Sequence, residues 1–255
     1  MKFSGCVDML FVRESAYVAE RIRLAKAAGL DAVEFWLWSN KDLPAIRAAL
    51  ADTGLPLAGI VAEPFAELTR TTDHDRFLDG LKRSLDVAQQ LGTTVMIAQA
   101  GPLLAGVDRD RQHAALTEAM ARSADVLKGS GVRLALEPLN DRVDHPGYYL
   151  TSTTEGLDII DAVGRPEIAL LYDLYHSMVM GEDTATVLAG RVDRIAHIHV
   201  ADHAGRHQPG TGALPLKASL NWMIENGYSG YVGLEFKPTD STVTALDETR
   251  AQLVG

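Results

Sequence analysis

Apolar runs of six to eight residues recur along the chain. Each follows a stretch whose apolar positions return at helical spacing, and each opens into a polar loop. The first run, about 2 to 8, predicts a strand. Ser15 then caps a predicted helix whose positions Val18, Ile22 and Ala25 share one face, and Gly29 ends it. DAVEFWLW (31 to 38) is strand two, and the helix LPAIRAALADTG stops at Gly54 before strand three, PLAGIVAE (56 to 63). A longer helix lines up Phe77, Leu81, Ala88 and Leu91 ahead of Gly92, and TTVMIAQ (93 to 99) is strand four. The second half repeats the plan. A helix near 108 to 128, with Leu116, Met120 and Leu127 inward, leads past Gly131 to strand five (132 to 137). A capped helix, 151 to 164, ends at Gly164 ahead of strand six (168 to 173). A short helix within 183 to 191 precedes strand seven (194 to 200), and a helix over 214 to 226 precedes strand eight (231 to 236). A terminal helix follows Asp240.

Eight strand and helix alternations without a low-complexity linker predict a parallel α/β protein. A single-domain (β/α)8 TIM barrel spanning 1 to 255 is the simplest solution, with its active site at the C-terminal ends of the strands. A doubly wound open sheet would more often carry GxGxxG after strand one, and that motif is absent.

Strand periodicity then gives the direction of the side chains that carry chemistry. In LALEPLN (134 to 140), Leu134 and Leu136 share the outer face and leave Arg133, Ala135 and Glu137 inward. In strand eight Val232, Leu234 and Phe236 share a face, and Gly233 and Glu235 lie opposite. Strand six points Asp173 inward with Leu170 outward, and strand seven points His197 and His199 inward together. Buried carboxylates are costly unless paired or metal-bound. Glu137, Asp173, His199 and Glu235, from four consecutive strands, are therefore expected to meet around one divalent cation. The oxygen-rich donor set suits Mn²⁺ or Mg²⁺ best and is compatible with Co²⁺ or Zn²⁺. The alternative for each acid alone is a salt-bridged barrel residue.

Composition narrows the function without choosing it. A formal net charge of −10 argues against a nucleic-acid partner. It says little about a small substrate beside a bound cation. Cys6 is the only cysteine, which excludes an intrachain disulfide and suits a reducing cytoplasm. MKFSGCVDML reads as a strand rather than a signal peptide, and no run approaches the roughly 18 apolar residues of a membrane span. The expectation is a cytoplasmic protein with no membrane anchor.

The segments MLFVRESAYVAERIRLAKAAGLDAVEF, LALEPLNDR, HPGYYLTS, IALLYDLYHSMVMGED, HIHVADHAGRHQPGTG and GYSGYVGLEFKP resemble the hydroxypyruvate isomerase family. That family lies within the xylose isomerase-like barrels, which include the ketose 3-epimerases. The resemblance implies a divalent-metal isomerase in which Glu137 and Glu235 bind metal and transfer protons, with Asp173 as a further ligand. Asn140 and Arg142 fit the isomerase pattern. His199, however, stands where hydroxypyruvate isomerases tend to carry glutamine and ketose epimerases histidine. The Pro-Ala-Gly-Asp-Trp loop of hydroxypyruvate isomerases is replaced by VAEPFAELTR (61 to 70), and the loop after strand two, WLWSNKDL (36 to 43), also differs. Val143 stands near the place where ketose 3-epimerases tend to carry a second acid. Family relatives are often oligomeric, and the loops 64 to 73 and 140 to 150 would offer a contact for a homo-oligomer.

The implied reaction moves a proton through an enediolate of a small hydroxy-carbonyl or sugar substrate, with one glutamate removing the proton and another group returning it. His176 resembles a substrate-contacting histidine of the superfamily, with loop capping as its alternative. Arg206 is expected to bind a substrate hydroxyl or carboxylate, or else to face solvent. Trp36 and Trp38 are expected to wall the pocket or simply to pack. Glu34 points inward on strand two, to orient a ligand or substrate or to pair with Arg133. His197 reads as a buried supporting residue, and Glu63 fits either the rim or the site. The nearest rival is a ketose 3-epimerase. A dehydratase, a metal-dependent endonuclease and a non-catalytic sugar-binding barrel stand further off, the endonuclease weakened by the net charge of −10.

Overall fold

Glycine punctuates the chain where a helix must stop and a strand begin. Gly54, Gly92 and Gly164 end their helices in the left-handed region, at φ of 66°, 78° and 61°, where a side chain would be strained. The computed structural model describes residues 1–254. Its first half contains β1 (Phe3–Cys6), α1 (Val18–Ala27), β2 (Ala32–Phe35), α2 (Leu43–Thr53), β3 (Leu57–Val61), α3 (His74–Leu91), β4 (Val95–Gln99) and α4 (Arg109–Leu127). The second half contains β5 (Arg133–Glu137), α5 (Thr153–Val163), β6 (Ile168–Asp173), α6 (Leu174–Val179), α7 (Thr184–Val187), β7 (Ile195–Val200), α8 (Leu216–Glu225), β8 (Val232–Leu234) and α9 (Thr242–Leu253). The strands pair in parallel in sequence order, and β8 closes on β1, so the sheet is a closed eight-stranded barrel. No helix among the described residues is long and apolar enough to cross a membrane.

Two separate apolar layers follow from the alternation along each strand. Leu134, Leu136, Leu170, Val232 and Leu234 belong to the large layer between sheet and helices. Val61, Val95, Ile97, Ala135 and Leu171 fill the barrel interior. The expected facing of strands five, six and eight is therefore the observed one. The acidic groups that converge inside the barrel lie toward the C-terminal ends of the strands.

Three local expectations change. Ser15 does not cap α1, which starts at Val18 with no side-chain cap. The Ser15 amide is tied back to the Phe11 carbonyl at 3.0 Å, and its hydroxyl accepts the Tyr17 amide at 3.1 Å, so the chain is still turning there. The short helix expected within 183 to 191 is observed as the four residues of α7. An extra short helix, α6, starts directly at the end of β6 because Asp173 caps it. Finally, β8 pairs over only Val232–Leu234, which places Glu235 just beyond the strand.

Candidate metal and active centre

Strand register brings the four expected ligands to one level. Asp173 pairs with His199, His199 with Gly233, and Glu137 sits at the end of β5 opposite Gln99. Glu137, Asp173, His199 and Glu235 each offer one donor atom, and these atoms lie within 4.8 Å of one another. All four residues are at most 5% exposed, so the three carboxylates have lost most of their solvation.

Each ligand is held by a different local device. Asp173 spends Oδ1 on the Tyr175 and His176 amides at 2.7 and 3.2 Å, the N-cap of α6, and leaves Oδ2 to the centre. Burial pushes its carboxyl above the ordinary range, and Glu235 adds to this against Arg206 and His199. Glu235 accepts the Trp36 indole N–H at Oε1, 2.7 Å, and ion-pairs with Arg206 at Oε2. Burial pushes Glu235 upward, but Arg206, His199 and the indole hydrogen bond outweigh it and hold the carboxyl below its ordinary value. His199 turns Nδ1 toward Glu235 and Glu137, at 3.5 and 3.7 Å, without a hydrogen-bond partner. Burial disfavours the imidazolium, yet Glu235 and Glu34 prevail and raise its pKa well above the ordinary value.

A buried ring nitrogen without a hydrogen-bond partner, facing convergent carboxylates, fits a divalent cation, which Glu137, Asp173, His199 and Glu235 would hold once the imidazole gives up its proton. Such a cation would supply the positive charge that the buried acids otherwise draw from Arg206 and His199.

Arg206 reaches the centre from the loop after β7. Asp202 organises that loop by accepting the Gly210, Gly212 and Leu214 amides at 3.0, 2.9 and 3.2 Å. Arg206 itself adopts a left-handed φ of 56° and lays its guanidinium over the Tyr175 ring, 5.4 Å from the centroid. Besides Glu235 it approaches Asp173 Oδ2 at 3.7 Å, so the solvent-exposed alternative is not what the fold adopts. Burial works against its charge, but Glu235, Asp173 and Glu137 raise its pKa further.

His176 is fixed by its neighbour Asn140. The Asn140 backbone N–H donates to Nδ1 at 3.1 Å, so in the neutral ring the hydrogen is on Nε2. That nitrogen has no hydrogen-bond partner and lies 3.6 Å from Asp173 Oδ2. Burial, aided by Arg206, lowers the His176 pKa to about 4, and the ring is a neutral N–H donor at the cavity wall.

The cavity above the centre measures about 340 Å³. Glu137, His176, His199, Arg206 and Glu235 line its β5 to β8 side, whereas Trp36, Leu37, Val61, Phe65 and Ile97 line the opposite side. Trp36 thus stands at the pocket as expected. Trp38 instead donates its indole N–H to Ser84 of α3 at 3.0 Å and packs. Glu63 is a rim residue, accepting the Trp38 and Ser39 amides at 2.5 and 3.0 Å and fixing the loop after β2. His145 and Gln99 also line the cavity and were not anticipated. Gln99 was detectable as the inward strand end in register with Glu137. His145 depends on a fold-back of the 140 to 150 loop, where its ring packs 5.4 Å from that of His176.

Of the alternatives expected for Glu34, the fold adopts only a place beside a candidate ligand, His199. Glu34 is not a wall of the cavity and does not pair with Arg133, which lies at the other end of the barrel beside Asp193 and Arg194. It turns instead to the histidines of β7. Its Oε2 accepts from Ser4 Oγ at 2.9 Å and contacts His197 Nε2 at 2.7 Å, and its Oε1 lies 3.0 Å from His199 Nε2. Burial pushes its carboxyl up, but His197 and His199 prevail and depress it strongly.

Comparison with known proteins agrees with this architecture. The xylose isomerase-like TIM barrel family model matches residues 22–252. Hydroxypyruvate isomerase of Escherichia coli is 30% identical over 96% of this chain and 97% of its own length. The 2-oxo-tetronate isomerase of Cupriavidus necator is 31% identical over 96% of both chains. A solved structure described as an AP endonuclease, family 2, from Brucella melitensis superposes with a TM-score of 0.87 at 27% identity, covering 98% of each chain. The chain belongs to the xylose isomerase-like TIM barrel family.

Proposed function

We propose that this protein is a divalent-cation-dependent isomerase that moves a proton through an enediolate of a small hydroxy-carbonyl compound, in the manner of hydroxypyruvate isomerase. The observation that carries this reading is the convergence of Glu137, Asp173, His199 and Glu235 within 4.8 Å at the floor of a cavity. Mn²⁺ or Mg²⁺ suits the donor set best. A cation held there would polarise a substrate carbonyl and stabilise the charge that develops on its oxygen.

The chain's own residues divide the remaining work. One of Glu137 and Glu235 takes the proton from the hydroxyl-bearing carbon, the hydroxyl proton passes to the former carbonyl oxygen, and the other glutamate returns a proton to the neighbouring carbon. The Trp36 indole N–H holds Oε1 of Glu235 and fixes the carboxylate's direction. His176 offers its Nε2–H to a substrate oxygen, and Arg206 neutralises carboxylate charge and binds a substrate hydroxyl or carboxylate. The two named relatives, a hydroxypyruvate isomerase and a 2-oxo-tetronate isomerase, support isomerisation of a short oxo acid. The apolar wall of Leu37, Val61, Phe65 and Ile97 supports the same size class, because the hydroxyls of a longer ketose would lose water there with few replacements. Ketose 3-epimerisation is the second reading. His199 favours it; Val143 disfavours it, being 52% exposed and away from the cavity wall. The single, buried Cys6 suits a reducing, cytoplasmic setting.

The deciding experiment incubates EDTA-treated and Mn²⁺-reconstituted protein with hydroxypyruvate, tetruloses and ketohexoses in D₂O and follows them by NMR. Cation-dependent interconversion of hydroxypyruvate with its aldehyde isomer is expected. Deuterium at C3 with inversion would establish the epimerase instead, and full activity after EDTA would remove the cation from the reading.

A further inference from the structure

The Glu34, His197 and His199 group lies directly beneath the four-residue centre, shares His199 with it, and has no part in the proton transfers proposed above. An imidazole that ligates through Nδ1 must carry its hydrogen on Nε2, since the neutral ring has only one. Only Nδ1 of His199 faces Glu137 and Glu235; Nε2 faces Glu34 Oε1 at 3.0 Å. A carboxylate accepts and does not donate, so this close contact, an ion pair rather than a well-formed hydrogen bond, favours a hydrogen on Nε2 and leaves Nδ1 to ligate.

Glu34 is itself fixed on two sides. Ser4 Oγ and His197 Nε2 both contact Oε2, at 2.9 and 2.7 Å, which leaves Oε1 for His199. The His197 and His199 rings stand edge to face, with centroids 5.0 Å apart and planes at 85°. Space for this arrangement comes from β8. A Cβ on Gly233 would lie 2.5 Å from His199 Cδ2, 2.7 Å from Glu34 Oε1 and 2.9 Å from His197 Nε2. All three side chains would have to move to admit it.

We propose that Glu34 is a positioning residue for the cation centre: it sets the tautomer and ring direction of His199, and Gly233 is the gap in the barrel wall that lets it reach. Glu34 touches neither substrate nor cation, and its effect passes through His199. The proposal rests on the cation-dependent reading above and predicts a readout independent of turnover.

Mn²⁺ titration of metal-free protein, with free Mn²⁺ counted by EPR, tests it on wild type, Glu34→Gln and Gly233→Ala. Removing such a partner typically weakens metal affinity by about 10- to 100-fold, and that loss is expected in both variants while circular dichroism reports a folded barrel. A purely structural role would lower the melting temperature and leave the Mn²⁺ Kd of the folded variant unchanged. A Glu34→Gln Kd within about twofold of wild type therefore overturns the proposal, the expected loss being at least about tenfold. If neither variant folds, ¹⁵N-histidine NMR of Zn²⁺-loaded wild-type protein decides. A hydrogen on His199 Nε2 and none on Nδ1 is expected, and a hydrogen on Nδ1 overturns it. A wild-type protein that binds no Mn²⁺ removes the cation reading and this inference with it. Binding by wild type and Glu34→Gln alike removes only the inference.

Discussion

The two halves of the barrel rim are built for opposite purposes. From β5 to β8 every strand end delivers a charged or ligating group, and the cavity wall there is Glu137, His176, His199, Arg206 and Glu235, with His145 beside them and Leu139 as its apolar exception. From β2 to β4 the facing wall is Trp36, Leu37, Val61, Phe65 and Ile97, and Gln99 is its polar exception. One half gathers the charge that proton transfer needs, and the other fixes the volume and polarity that a substrate meets. Relatives about 30% identical over nearly the whole chain are named for different substrates, a hydroxypyruvate isomerase and a 2-oxo-tetronate isomerase, and loops at this end of a barrel are where such differences arise.

The sharpest way to break this comparison is to neutralise an acid of the charged half. Glu137→Gln and Glu235→Gln keep the side-chain volume and remove the proton acceptor. Each is expected to lower deuterium exchange into substrate by about 10²- to 10⁴-fold, the usual contribution of a positioned general acid or base. NMR exchange rates in D₂O measure it, and circular dichroism checks that the barrel persists. Normal exchange in either variant would eliminate that glutamate as the base.

The charged half was also the legible half. Alternation puts Leu134 and Leu136 outside and Glu137 inside whatever the loops do, and the same logic placed Asp173, His199 and Glu235. Those positions depend on strand period alone. What the sequence hid lies in contacts across the barrel or in loop folding. Glu34 was correctly read as inward, yet its partners proved to be His197 and His199 rather than Arg133, because periodicity gives a direction and not a height along the axis. His145 reaches the wall only because loop 140 to 150 folds back, and the α6 cap is visible only in the Tyr175 and His176 amides donating to Asp173 Oδ1. Glu63 looked equally fit for site or rim, and loop hydrogen bonds decide it.

The apolar half is held in place by charge outside the pocket. Lys41 pairs with Asp8 at 2.9 Å, the two side chains being 7% and 15% exposed, and Asp8 also accepts the Trp36 amide at 2.7 Å. Asp8→Asn would leave a nearly buried ammonium with the Leu37 carbonyl, at 2.7 Å, as its main partner. Stranding a buried charge costs about 3 to 5 kcal/mol, and the residual exposure of this pair puts the loss near the lower end, about 3 kcal/mol. Urea unfolding measures it. A loss below about 0.5 kcal/mol would mean that solvent, not Asp8, stabilises Lys41.

The charged half has its own brace, and it should respond far less. Glu155, in the first turn of α5, accepts from Tyr149 Oη at 2.7 Å and Arg109 at 2.5 Å and contacts His113 Nδ1 at 3.2 Å, with Arg109 about half exposed. Burial pushes the Glu155 carboxyl up, but the hydrogen bonds from Tyr149, His113 and Arg109 outweigh it and hold its pKa below the ordinary 4.5. A carboxyl whose folded pKa lies below its unfolded value adds stability that is fully present above the unfolded pKa. That stability is lost as pH falls through the folded value. Solvent screening at this exposure limits the contribution to about 0.5 kcal/mol. Glu155→Gln is therefore expected to destabilise by that amount at neutral pH, and the gap to wild type should close as the solution is acidified below the ordinary carboxylate range. Paired urea titrations at neutral and acid pH measure the gap. If it stays constant with pH, Glu155 acts through packing, and the brace of the charged half is not electrostatic.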